Sequence, residues 1–332
     1  MKPIVGFVYD LKKDYLDEGF SKEDVAEFDS EETIGALHNT IEQLGYTVER
    51  IGNCKALAKA LVAGKRWDMV FNIAESFGGR CRESYVPALL DMYDIPYTFS
   101  DAMVCALTLD KSMAKRIVAQ AGLPTPAFKV VRKPQDIDEV SLQYPLFAKP
   151  LDEGTGKGIT QDSKIDTPQQ LKKVCLDLLS AYNHPVLVEE YLPGREFTVG
   201  VLGNDKDIRA IGGMEIKMLA ANEPAIYSFT NKDEYEKRVT YSRLTEPKLK
   251  QEIESLAVEC YKALECRDSS RVDIRCDRNG RACFIEINPL AGLHPVHSDI
   301  CIIARNEGIS YEQLIGQILK NAFARTNAGA CK

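Results

Sequence analysis

The first seventy residues constrain the fold most. Ile4 to Val8, Thr47 to Ile51 and Met69 to Ile73 are apolar runs of strand length, while Glu31 to Leu44 and Ala56 to Ala63 between them carry apolar residues at helical spacing. Strands that alternate with helices build a parallel sheet with right-handed crossovers, because parallel neighbours are joined only by a connection over the face of the sheet. Asp29 followed by Glu32 reads as a capping box for the first helix, and Gly45 as its stop. The polar stretch Leu11 to Phe28 reads as a long loop over the strand ends, where α/β sheets place their ligands.

Farther along, the breaker cluster Gly122-Leu123-Pro124-Thr125-Pro126 closes a helix expected from about Asp110 to Ala121. Strands are expected at Phe128 to Val131 and Leu146 to Lys149, followed by a glycine-rich turn over residues 152–158 and a helix from about Pro168 to Tyr182. A third region holds strands at Val186 to Glu189, Glu196 to Leu202 and Ile208 to Glu215, a polar loop from about Lys217 to Arg243, and a helix near Glu246 to Leu264. It ends in a hairpin, Ser270 to Cys276 and Ala282 to Asn288, turning at Asn279-Gly280. The expectation is α/β architecture in three parts, residues 1–104, 105–185 and 186–332, with sheets of different kinds.

At 332 residues and a net charge of -7, the chain offers no basic field for a phosphate backbone, which argues against nucleic acid as a partner. No apolar stretch approaches the ~20 residues of a membrane helix, and the N-terminus lacks a leader's apolar region. A cytoplasmic protein without membrane contact is expected. The ten cysteines are far apart with no C-x-x-C, so reduced core thiols such as Cys105, Cys276 and Cys283 are favoured over zinc or disulfides, with Cys81 and Cys331 the most exposed. His38 and His184 read as solvated, and Trp67 as packing under the second crossover.

Chemistry concentrates on the hairpin. Strand alternation sets Arg271, Asp273 and Arg275 on one face and Val272, Ile274 and Cys276 on the other; on the returning strand Glu286, Asn288 and Phe284 share a side opposite Ile285 and Ile287. Asp273, Glu286 and Asn288 can thus converge as hard oxygen ligands suited to Mg²⁺, the alternative being solvated carboxylates on an exposed face. Gly154, Gly156 and Gly158 can bring backbone N–H groups up to a phosphate, and Lys149 can reach it as a point charge, although a plain hairpin would look the same. The segment from Val186 to Val199 offers a backbone edge for an adenine and Glu196 for a ribose.

The blocks ALTLDKSMAK, GLPTPAF, PLFAKPLDEGTGKGIT, VLVEEYLPGREFTVGVLG and RVDIRCDRNGRACFIEINPLAGLHPVHSD, in this order, resemble the D-alanine-D-alanine ligase family of the ATP-grasp superfamily. The resemblance implies an ATP-grasp fold: an N-terminal Rossmann-like (preATP-grasp) domain, a small central α+β domain and a C-terminal α+β domain. It implies a cytoplasmic ATP-dependent carboxylate-amine ligase that forms a peptide bond through an acyl phosphate, with ATP and two Mg²⁺ ions (Mn²⁺ as a substitute) as cofactors. Lys111, Lys149, Gly154 and Gly156 would meet the nucleotide's phosphates and base region, Glu189, Glu190 and Leu192 the adenine, and Glu196 the ribose. Asp273, Glu286 and Asn288 would hold the metal ions. Arg271 would stabilise the oxyanion with a backbone N–H such as Gly292's, Lys232 would reach the γ-phosphate, and Ser298 would lie at the second substrate. The polar loop that carries Lys232 is the expected water-excluding lid.

The departures from the family pattern gather at the substrate end. The early glutamate aligns near Phe28, with Glu27, Asp29, Glu31 and Glu32 close by; Thr155 replaces a serine of the glycine-rich turn, Asp233 the tyrosine after the loop lysine, and Glu75 a histidine. Glu75 and Asp233 are therefore substrate candidates, as is His297, which with His294 is expected to shape the acceptor pocket. The partners implied are a small-molecule carboxylate and amine, amino acids by resemblance, with a homodimer left open. D-alanine as both substrates, other amino acids or acids joined by the same mechanism, and a binding-only module all stay open, while biotin-dependent carboxylation lacks a biotinyl-lysine segment.

Overall fold

A computed structural model describes residues 2–218 and 239–329, with the side chains of 218, 239 and 327–329 left aside. Its first sheet has strands β1 (Ile4–Val8), β2 (Thr47–Gly52) and β3 (Met69–Asn72) in the order β2-β1-β3, all parallel. The crossovers are α2 (Glu31–Gln43) and α3 (Cys54–Val62), as the alternating pattern requires, and α4 (Tyr85–Met92) follows β3. Gly6 is pressed under Trp67, where a Cβ would stand 2.9 Å from the indole, and Trp67 packs with Leu57 and Leu61 of α3.

Two local expectations change. Ser30, not Asp29, caps α2: its Oγ accepts from Thr33 N at 3.3 Å, while Asp29 pairs by its backbone with Lys12 and Asp10. The polar stretch after β1 is not all loop, since Lys12–Asp17 forms a short helix, α1, with Tyr15 OH donating to the buried Asp10.

The second sheet runs β4-β7-β5-β6, built from β4 (Phe128–Val131), β5 (Leu146–Pro150), β6 (Lys164–Ile165) and β7 (Val186–Glu190), all antiparallel, and α7 (Pro168–Tyr182) covers it. The third runs β10-β9-β8-β11-β12, also antiparallel, from β8 (Glu196–Leu202), β9 (Arg209–Met218), β10 (Val239–Arg243), β11 (Ser269–Cys276) and β12 (Ala282–Asn288). Both ends of the expected lid loop are therefore strand, because Val239–Arg243 pairs with β9.

Apolar cores cross the boundaries between sheets. Helices α5 (Ala102–Leu109) and α6 (Lys111–Gln120) bury Val104, Ala114 and Val118 against Phe197, Val272 and Phe284 of the third sheet, beside α8 (Pro247–Ala263). Helices α9 (Asp299–Asn306) and α10 (Tyr311–Gly329) return to the first sheet, where Leu314, Ile315 and Ile318 pack with Leu37 and Ile41 of α2. Among the described residues the cysteines are free and all but Cys54 and Cys81 are buried; Cys331 lies outside them. No helix among them is long and apolar enough to cross a membrane.

Candidate active site

The hairpin β11–β12 places the acidic residues, with one change from simple alternation. Arg271 faces Asn288 and Asp273 faces Glu286, but the register then jumps so that Ile274 faces Phe284. Ile285 is the extra residue of a bulge. The bulge reverses the expected sides: Phe284 is fully buried in the core with Ile274, and Ile285 turns outward to line the cleft beside Glu286. A large aromatic belongs in the core, and the bulge puts it there while keeping both carboxylates on the functional face.

Two hollows meet at this face. One is a slot with the apolar side chains of Phe147, Ile159, Leu192, Ile216 and Ile285, edged by Glu189, Glu190, Glu196, Lys149 and Gly156. The other is a polar chamber lined by the hairpin end and its following loop (Asn288, Gly292, Ser298), by Lys111, Gly154 and Thr155, and by the acids Glu27, Asp29, Glu75 and Glu83. Arg271 and Glu286 line both. Asp273 belongs to the slot and Asn288 to the chamber, so the three oxygen-bearing residues straddle the junction.

Charge is densely paired here. Lys149 Nζ lies 3.0 Å from Glu286 Oε2 and 3.7 Å from Glu189, and Lys111 Nζ lies 4.0 Å from Glu286. Burial opposes both charges in the first pair, but the neighbours outweigh it: Lys149 is raised above the ordinary lysine range, chiefly by Glu286, and Glu286 is held well below the carboxylate range, chiefly by Lys149. Arg271 donates from Nε and Nη2 to Asp273 at 3.2 and 3.0 Å, and its Nη1 lies 3.3 Å from Asp299 on α9. Arg275 Nη1 lies 3.2 Å from Glu196, whose pKa is raised by burial despite that arginine.

Helix α6 supplies two lysines one turn apart. Asp110 caps the helix through Ser112 N and Met113 N and is bound in turn by Arg80 at 2.6 Å. Lys111 then donates to the carbonyl of Glu153 at 2.7 Å, while Lys115, fully buried, pairs with Glu189 at 2.8 Å. Sequence reasoning missed Lys115, although its spacing of four from Lys111 puts both on one helical face.

The glycine-rich turn is docked onto the first sheet's loops. Thr155, Gly156 and Gly158 have positive φ, and a Cβ on Gly154 would meet the carboxylate of Glu27. Arg82, buried, donates to the carbonyl of Asp152 and to Glu27, both at 3.0 Å. Neither Arg82 nor Glu83 was singled out from sequence, because nothing local marks a charged side chain as buried. Thr155 Oγ1 is buried without a hydrogen-bond partner beside the chamber, a hydroxyl free for a ligand.

Other expectations fare differently. Lys232 and Asp233 lie outside the described residues. His297 is exposed, stacks on His294 at 4.5 Å and is not among the chamber's lining residues, whereas Gly292 and Ser298 of the same loop line it, Ser298 holding the loop through His294 N at 2.8 Å. His184 and His38, expected to be solvated, are both half-buried, His184 with its Nδ1 2.7 Å from Asp152 and His38 beside Glu42 at 3.5 Å.

The donor set at the junction fits a divalent cation. Two carboxylates and an amide oxygen, on directly paired strands, are the hard ligands magnesium takes, and their only counter-charges among the described residues are flexible or planar side chains that also suit phosphate.

The family profile for the D-ala D-ala ligase C-terminus matches residues 117–320. The chain is 31% identical to a D-alanine–D-alanine ligase of Marinobacter nauticus over 78% of this chain and 76% of that one, and 34% identical to the uncharacterized protein y4sG of Sinorhizobium fredii over 77% and 75%. In fold it is similar to the D-alanine–D-alanine ligase of Bacillus anthracis complexed with ATP (TM-score 0.75, 18% identity, 99% of each chain). It is also similar to the VanG D-Ala:D-Ser ligase of Enterococcus faecalis (TM-score 0.74, 21% identity, 97% and 100%). With an ATP-grasp architecture, paired hollows and a profile match over most of its length, the chain belongs to the D-alanine–D-alanine ligase family of ATP-dependent ligases.

Proposed function

We propose that this ligase activates the carboxylate of one amino acid with ATP and joins it to the amino group of a second, releasing ADP and phosphate. The observation that carries this reading is the meeting of an apolar slot and a polar chamber at Arg271 and Glu286, where a nucleotide's terminal phosphate and an acid's carboxylate would come together. A carboxylate oxygen attacks the γ-phosphorus and ADP leaves with the bond's electrons. The amine nitrogen then attacks the acyl carbon, loses a proton, and phosphate departs.

Each residue's part follows from its place. The apolar walls of the slot suit a base between Leu192 and the strand segment at Glu189 and Glu190, with Glu196 toward the ribose. Lys111, Lys149 and the amides of Gly154 and Gly156 gather phosphate charge, a task that is mostly positioning and neutralisation. Asp273, Glu286 and Asn288 would hold divalent metal, two magnesium ions in this reading, which would neutralise phosphate oxygens. Arg271, fixed by Asp273 and Asp299, faces the junction and with the Gly292 N–H would stabilise the oxyanion of the tetrahedral intermediate, worth ~3–4 kcal/mol per donor. Thr155 Oγ1 and Ser298 contact the substrates, and Lys232 and Asp233 belong to the proposal from sequence alone. The same proposal divides the chain at 104/105 and 185/186; the first sheet lies wholly in the first part, whereas β7, just past the second boundary, pairs with β4 and β5 of the central sheet.

Purified protein with ATP and Mg²⁺ should release phosphate when given amino acids from a panel of both hands, with a dipeptide-mass product. Nucleotide binding without release for any amino acid would refute the reading. Glu286→Gln should lower turnover by ~100-fold or more while circular dichroism stays unchanged; retained activity would remove Glu286 from the metal and phosphate site.

A further inference from the structure

The chamber holds more negative charge than a single α-ammonium needs. Of its four acids on the N-terminal side, Glu27 is already neutralised, 3.0 Å from Arg82 and 3.9 Å from Lys157. Among the described residues no lysine, arginine or histidine nitrogen lies within 4 Å of the carboxylates of Asp29, Glu75 or Glu83. Arg82 is near, but its guanidinium is spent on Glu27 and on the carbonyl of Asp152. Glu83 is only 9% exposed and lines the chamber together with another acid, Glu75.

Such an arrangement is costly when empty. Burial raises Glu75 well above the carboxylate range, and it lifts Glu83 and Asp29 each to about 7. Two buried carboxyl groups in contact can share one proton, but a cation bonded to both removes the cost without one. The rest of the chamber is of opposite character: Lys111, Arg271 and the unpartnered hydroxyl of Thr155 suit the carboxylate that is to be phosphorylated. The chamber is therefore polarised, with the reacting carboxylate at one end and room for positive charge at the other.

We propose that the amino acid activated here is a diamino carboxylic acid, its second ammonium held by Glu75 and Glu83 while its α-ammonium faces Asp29. The proposal rests on the ligase reading above and names its substrate class. It also has a chemical consequence for the reaction. A free side-chain amine beside an acyl phosphate would attack it and close a lactam, whereas an ammonium held between carboxylates has no lone pair to do so. The acyl group thus waits for the external amine.

Phosphate release would be measured with wild-type protein, ATP, Mg²⁺ and alanine as acceptor, offering as the acid component alanine, 2,3-diaminopropionate, 2,4-diaminobutyrate, ornithine or lysine in each hand. At least one diamino acid should exceed alanine of the same hand by ~10-fold or more in kcat/KM, the discrimination expected of a buried charged hydrogen-bond site. Glu83→Gln and Glu75→Gln should each shrink that ratio by about the same factor; should either fail to fold, the wild-type ratio decides. Alanine equal to or better than every diamino acid would overturn the inference and leave the ligase reading intact. No release with any amino acid would overturn both.

Discussion

At the scale of single residues, the site is a set of charges whose ionisation is set by their neighbours. Lys149 and Glu286 hold each other charged in a buried place, whereas Asp29 has no such partner and is pushed up to about 7 by burial. The sign follows from linkage: a carboxyl whose folded pKa exceeds its unfolded value of ~3.9 binds its proton more tightly in the native state, so its contribution is greatest below pH ~4 and is lost as pH rises to about 7. Asp29→Asn, with no charge to bury, should melt above the substrate-free wild type at pH 8, and the gap should narrow steadily toward pH 5. A gap that does not change with pH would show that Asp29 is not the group responsible. Glu75 could be located from sequence as a replacement for the family's histidine, but its meeting with Glu83 at one chamber could not, because seven residues separate the two and only the fold brings them together.

At the scale of elements, local rules served well where the element answers only to itself. The helix Pro168–Tyr182 has Thr167 capping it through Gln170 N, and proline at its start; both signals lie in the sequence, and the helix falls where they put it. The hairpin β11–β12 kept its strands and its Asn-Gly turn but not its inner alternation, because the demand to bury Phe284 overrides strict period two and is met by the bulge at Ile285. The glycine-rich turn shows a different limit. Gly158, at φ 70°, leaves no room for a side chain, since a Cβ would stand 2.7 Å from the Pro150 ring and 2.9 Å from Tyr182. Gly158→Ala should cost ~1–3 kcal/mol in urea unfolding from the strained backbone and the crowding. A cost near zero would mean that the turn re-forms without its left-handed residue.

At the scale of the whole molecule, one buried carboxylate joins distant stretches of chain. Asp268 is fully buried and accepts from Phe99 N at 2.7 Å, Asn204 Nδ2 at 2.8 Å, and Arg325 Nε and Nη2 at 3.0 and 2.7 Å. Arg325 on α10 also donates to the carbonyl of Tyr97, so the end of the first region, the third sheet and the last helix share one node. Asp268→Ala should lower stability by ~3–5 kcal/mol, because it removes the counter-charge of the half-buried Arg325 guanidinium and leaves the buried Phe99 N–H without its acceptor. A loss under 1 kcal/mol would show that water replaces the carboxylate. Helices α5 and α6 likewise follow the first region in sequence yet complete the core of the third sheet, which places Lys111 and Lys115 where the cleft needs them.

By itself the sequence determined the order of strands and helices, the parallel first sheet, the glycine-rich turn, and the resemblance that joined Asp273, Glu286 and Asn288 to a nucleotide site. These are properties of neighbours along the chain: periodicity, caps, turns and block order. Only the tertiary structure decided that Glu27 is spent on Arg82 while Glu75 and Glu83, lining the same chamber, have no cationic nitrogen within 4 Å among the described residues, and that His297 is not part of that lining. The reason is electrostatic. The state of a buried charge depends on what lies within a few ångströms in space, and for these residues those neighbours come from separate loops that no local pattern connects.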